Sequence, residues 1–117
     1  MITLQGKPIS RNTLYASVCK GKFPTVYMTP KGKELKASYE AQVKKQWKEE
    51  TIKGDVSVSI VYFLGDNRKV DLDNINKSTI DSLTGIVFDD DKQIKELYLR
   101  KEVDKENPRT CIEIMEL

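Results

Sequence analysis

With 117 residues, 38% hydrophobic and 32% charged, the chain is long enough for one core and too short for two, which predicts a single soluble domain over residues 1–117. It contains no histidine, which excludes Ser/His and Cys/His nucleophile pairs, His-ligated zinc and His general bases, and leaves hydrolysis to a metal-activated water, a carboxylate or a lysine. The formal net charge of +2 hides an asymmetry: residues 1–33 carry Lys7, Arg11, Lys20, Lys22, Lys31 and Lys33 and no acid, while the remainder holds 14 basic and 18 acidic side chains.

In chain order, Ile2-Thr3-Leu4 predicts a short strand ended by Gly6 and Pro8. The N-terminus carries no signal-peptide pattern and no apolar run reaches the ~18 residues of a membrane helix, so a cytoplasmic protein with no membrane contact is expected. Residues 5–29 read as an extended, mostly irregular loop. The basic residues of 1–33, interleaved with Tyr15, Phe23 and Tyr27 and broken by Gly21, Pro24 and Pro30, suit an arm that tracks a phosphate backbone or, equally, a solvated surface loop. A helix is predicted from about Thr29, with Pro30 at its first position, to about Glu50; Leu35, Tyr39, Val43, Gln46 and Trp47 form one stripe. Asp55 to Leu64 alternates as a half-buried strand, with Val56, Val58, Ile60, Tyr62 and Leu64 on one face. A second helix spans about Asp73 to Leu83 and ends at Gly85. Strands follow over Ile94–Val103 and Arg109–Met115, separated by a turn at Asn107-Pro108. Cys19 and Cys111 lie far apart and read as two reduced thiols. The order β-α-β-α-β-β predicts an α+β domain, a single mixed sheet of about four strands with two main helices packed on it.

Two acidic clusters stand out: the run Lys69-Val70-Asp71-Leu72-Asp73-Asn74, and Asp89-Asp90-Asp91. Carboxylates ~4 Å apart repel by about 1 kcal/mol in water and about 4 kcal/mol at an effective dielectric near 20, a cost that a cation between them removes. Oxygen donors without His or Cys favour Mg²⁺, with Mn²⁺ able to substitute. Asp71 and Asp73 project to one side of an extended segment; once the helix begins, Asp73, Lys77 and Asp81 share a face opposite Leu72, Ile75, Thr79 and Leu83. A helix cap would account for one aspartate of the first cluster, and ordinary i,i+4 ion pairs for Lys77, but neither accounts for the second cluster. In the strand from Ile94, alternation places Lys101 on the inward side with Leu97, Leu99 and Val103, where it either snorkels to solvent or reaches the acids and a phosphate. An EF-hand is excluded by Ile75, Asn76 and Ser82 at its ligand, glycine and glutamate positions, and the absence of a Gly-rich phosphate loop argues against a nucleotide cofactor.

These residues resemble the RusA family of Holliday junction resolvases, small endodeoxyribonucleases often carried by prophages. Gly6-Lys7-Pro8-Ile9-Ser10-Arg11-Asn12 is similar to the family's GKPxSxN segment, Asp71-Leu72-Asp73-Asn74-Ile75-Asn76-Lys77 to its DLDNxxK, and Asp90-Asp91-Lys92-Gln93-Ile94 to its DDxQI, with Asp81-Ser82-Leu83 in place of its DAL. Asn76 and Ser78 depart from the pattern in being more polar. The resemblance implies a RusA-like fold, a homodimer, and a branched DNA substrate, the four-way junction, cut by paired nicks in recombination and repair. It implies Mg²⁺ ligation by Asp71, Asp73 and Asp91 and a catalytic need for Lys77. Asp90 is expected to ligate or to stand behind a ligand, Asn74 to orient a ligand, and Gln93 to tie down the turn beside them. DNA contacts are expected at Lys7, Arg11, Asn12, Lys20, Lys22, Lys31, Arg68, Lys69 and Lys101. The alternatives are a catalytically inactive DNA-binding protein, which needs the basic arm but not five carboxylates, and a nuclease acting on other branched DNA.

Overall fold

A computed structural model describes residues 1–9, 15–20, 23–66 and 71–117, with the backbone alone for 17–20 and 23–25. The elements are β1 (Ile2–Gln5), β2 (Tyr15–Lys20), β3 (Phe23–Met28), α1 (Pro30–Gln46), β4 (Val56–Leu64), α2 (Leu72–Leu83), a 3₁₀ turn (Asp91–Gln93), β5 (Ile94–Val103) and β6 (Arg109–Glu116). The strict apolar alternation of β4 makes it the central strand: Val56, Val58, Ile60, Tyr62 and Leu64 are buried, and both edges are paired. It runs parallel to β5 and antiparallel to β6, which in turn pairs with β1, giving a mixed sheet in the order β1-β6-β4-β5. This is the α+β architecture that the sequence predicts. No helix among the described residues is long and apolar enough to cross a membrane.

Part of the expected irregular loop is ordered as a second, two-stranded sheet of β2 and β3, with Lys20 opposite Phe23 and Cys19 opposite Pro24. The residues that favour it are β-branched and aromatic runs on either side of Gly21-Lys22. Pro24 is tolerated because a two-stranded ribbon consists only of edge strands. Arg11, Asn12, Lys22, Arg68 and Lys69, five of the expected DNA contacts, lie outside the described residues.

Helix α1 begins as expected: the Thr29 hydroxyl accepts from the Gly32 amide at 2.9 Å, and Pro30 needs no donor partner there. It stops at Gln46, earlier than the expected Glu50, because Trp47 turns extended and packs half-buried on the core. The chain then pairs Ile52 with Phe88, the Ile52 amide donating to the Val87 carbonyl at 2.8 Å. Tyr39 and Val43 are buried as the stripe predicts. Gln46 has a different use. Its side-chain amide accepts from the Thr3 amide at 2.8 Å and donates to the Thr3 carbonyl at 2.7 Å, and Gln42 accepts from the Gln5 amide at 2.8 Å. The free edge of β1 is thus closed by side chains, one answer to the exposed-edge problem.

The parallel β4–α2–β5 crossover positions the site. Asp71 caps α2, accepting from the Asp73 amide at 3.0 Å, and the helix ends before Gly85, whose φ of +87° suits only glycine. Ile75, Ser78, Thr79, Ile80, Ser82 and Leu83 are buried, while Asp73, Lys77 and Asp81 face out together. The buried Ser78 hydroxyl lies 2.6 Å from the Ile9 carbonyl, to which it donates, tying the Gly6–Ile9 segment to α2. β5 forms the other sheet edge and is largely exposed. Lys101 shares the face of its register partner Tyr62, as the alternation predicts, but its side chain stands in solvent.

Candidate active site

The aspartates divide along α2. Asp71 caps the helix and Asp73 lies in its first turn, where the helix dipole favours negative charge. Asp81 lies eight residues beyond Asp73, ~12 Å along the axis at 1.5 Å per residue. Asp91 opens the 3₁₀ turn before β5, close enough for the Asp81 charge to act on it. One open cavity of about 390 Å³ between α2 and β5 is lined by Asn76, Lys77, Asp81, Asp91 and Lys95, with Ile80, Ile94 and Leu97. The structure therefore brings Asp91 to Lys77 and Asp81, and leaves Asp71 and Asp73 at the next level of the helix. Among the described residues no ion pair joins Lys77 to Asp73 or Asp81, so its ammonium is not spent on an i,i+4 salt bridge.

The second cluster is held by backbone. The Asp90 side chain accepts from the Lys92 amide at 3.0 Å. That bond, followed by a hydrogen bond with Asp91, holds the Asp90 carboxyl below the usual carboxylate range. Asp91 is pushed up, first by its hydrogen bond with Asp90 and further by the charges of Asp90 and Asp81. The Gln93 side chain is fully engaged: its carbonyl accepts from the Asp89 and Asp90 amides at 2.9 Å each, and its amide donates to the Ile52 and Gly54 carbonyls at 2.8 Å each. Asp89 turns away to pair with Lys53 at 2.9 Å.

These donors fit a hard divalent cation in one particular way. All are exposed carboxylates, but the described residues gather no three His, Cys, Asp or Glu around a single point. A closed protein cage is not formed, whereas an open ion that keeps its waters and takes one or two carboxylates plus a phosphate, the habit of Mg²⁺, is compatible. Asn74 is half-buried in the first turn of α2. Of the expected DNA contacts, Lys7 and Lys31 line a second cavity of about 390 Å³ with Gly6, Ser38 and Tyr39, while Lys101 stands apart from both cavities. Asn76, Asp81 and Lys95 are the residues that sequence reasoning left without a role. Asp81 was legible, one turn beyond Lys77 on its face; Lys95 becomes visible only once β5 is paired.

The family model described as Endodeoxyribonuclease RusA matches residues 5–115, nearly the whole chain. No curated protein matches the chain.

Proposed function

The chain belongs to the RusA family of Holliday junction endodeoxyribonucleases, and on that premise we propose that it is a Mg²⁺-dependent nuclease that resolves four-way DNA junctions by paired nicks as a homodimer. The observation that carries the reading is the open cavity on which Lys77, Asp81 and Asp91 converge. Asp71 and Asp73 at one level of α2, and Asp91 at the next, would hold Mg²⁺ as an open ion or ions that keep their waters, supplying an acidified water and neutralising charge at the scissile phosphate and its leaving oxygen. Asp90 precedes Asp91 in the turn and accepts from the Lys92 amide, and Gln93 holds the turn that carries both. Asn74 orients a carboxylate from the first turn of α2. Lys77 takes a non-bridging phosphate oxygen and stabilises the charge that builds there, its position fixed by a helix whose opposite face is buried.

The basic residues serve the rest of the substrate. Lys7 and Lys31 face one cavity near the start of α1, a place to grip the phosphates of a junction arm. A four-way junction is itself two-fold symmetric, so an isologous dimer with one site per subunit accounts for nicks in opposed strands. The test is cleavage of a synthetic four-way junction beside flap, fork and linear duplexes, with and without Mg²⁺. Opposed nicks confined to the junction and to Mg²⁺ are expected. Equal cutting of flaps and forks would point to a general branched-DNA nuclease, and binding without cutting to an inactive DNA-binding protein.

A further inference from the structure

The cavity between α2 and β5 has two kinds of lining. Lys77, Lys95, Asp81 and Asp91 suit a phosphate and its ions, but Ile80, Ile94 and Leu97 do not, and Leu97 is 41% exposed on an edge strand. At about 390 Å³ the space lies within the ~300–1,000 Å³ of small-ligand sites. An open apolar wall beside a charged rim suits a planar group with apolar faces, and in a nucleic acid that group is the base. A base enters such a pocket only when unstacked, at a cost of a few kcal/mol that is least where pairing is already broken, as at a branch point.

Asn76 supplies the polar contact. Its Oδ1 accepts from the buried Tyr62 hydroxyl at 3.3 Å, so the amide N–H₂ is the part of Asn76 left for the cavity. An amide donor reads an acceptor on a base edge. Of the two positions more polar than the family pattern, Ser78 is spent on the Ile9 carbonyl, whereas Asn76 lines the cavity. We propose that this cavity receives an unstacked nucleobase next to the scissile phosphate, with Ile80, Ile94 and Leu97 against its face and Asn76 donating to its edge, so that Asn76 sets the base preference of cutting. The inference rests on the junction-nuclease reading.

Two measurements test it. The first uses four-way junctions that differ only in the base at the branch point beside each cut, with single-turnover cleavage in Mg²⁺ by the full chain. The wild type should discriminate among the four bases by at least about tenfold, the worth of roughly one hydrogen bond, and Asn76→Leu should bring the four rates to within about threefold of one another. The second uses no cleavage: a junction with 2-aminopurine at that position is bound in EDTA. Fluorescence should rise on binding to the wild type, and the rise should be lost with Leu97→Asp, which sets a carboxylate on the apolar wall. Equal cutting of all four bases by the wild type, an unchanged preference in Asn76→Leu, or binding with no fluorescence rise would overturn the base pocket and leave the nuclease reading intact. A fluorescence rise lost in Leu97→Asp, with no junction cut by the wild type, would uphold the pocket and overturn the nuclease reading.

Discussion

Lys77 stands one helical turn beyond Asp73 and one before Asp81 on the exposed face of α2, a position that serves either a surface ion pair or a substrate phosphate. The two uses differ in magnitude. An exposed pair contributes under about 1 kcal/mol to stability and nothing to rate, whereas a group acting on the transition state typically contributes ~3 kcal/mol to the barrier. Lys77→Ala is therefore expected to lower single-turnover cleavage by at least ~10²-fold with little change in junction affinity; near-normal turnover would reject the catalytic role. Gln93 makes the opposite kind of contribution. With all four of its hydrogen bonds directed at backbone, Gln93→Ala should destabilise the fold by about 2–3 kcal/mol in chemical denaturation. An unchanged denaturation midpoint would show that the turn holds without it.

At the scale of elements, the two edges of the main sheet are treated differently. β1 is closed by Gln42 and Gln46 of α1, while β5 keeps an exposed edge studded with charge. Gln46→Ala removes both bonds to Thr3 and should cost about 1–2 kcal/mol. Hydrogen exchange at the Thr3 amide reads this directly, and exchange as slow as in the wild type would contradict it. The alternation of β4 and the stripe of α1 were legible in the sequence because burial imposes a period that composition cannot hide. The β2–β3 pairing was not, since Lys20-Gly21-Lys22 and Pro24 carry loop statistics into a ribbon whose strands are all edges. The end of α1 was equally hidden: Trp47 extends the helical stripe on paper, but the need to bring Ile52 beside Phe88 ends the helix before it. At the site, the exposed face of Asp73, Lys77 and Asp81 could be read from a spacing of four. The grouping of Asp91 with Asp81 could not, because it depends on β5 running parallel to β4, which brings the start of β5 back to the C-terminal end of α2.

For the whole molecule, the charge asymmetry of the sequence shows in the two cavities: Lys7 and Lys31 line one with no acid beside them, while Asp81 and Asp91 line the other together with Lys77 and Lys95. If the first grips DNA, each phosphate it neutralises adds about 0.9 to the slope of log affinity against log salt. Replacing Lys7 and Lys31 together by Ala should flatten that slope by between about one and two units per subunit; a slope equal to that of the wild type would return this surface to ordinary solvated status. In the proposed nuclease the acids serve cutting rather than binding. This is tested most directly by measuring, on one four-way junction, affinity in EDTA and cleavage in Mg²⁺ for the wild type and Asp91→Asn. Asp91→Asn is expected to bind at least as tightly, having lost a negative charge that faces a polyanion, and not to cut. Cleavage by folded Asp91→Asn at the wild-type rate, or loss of binding in step with cleavage, would contradict it.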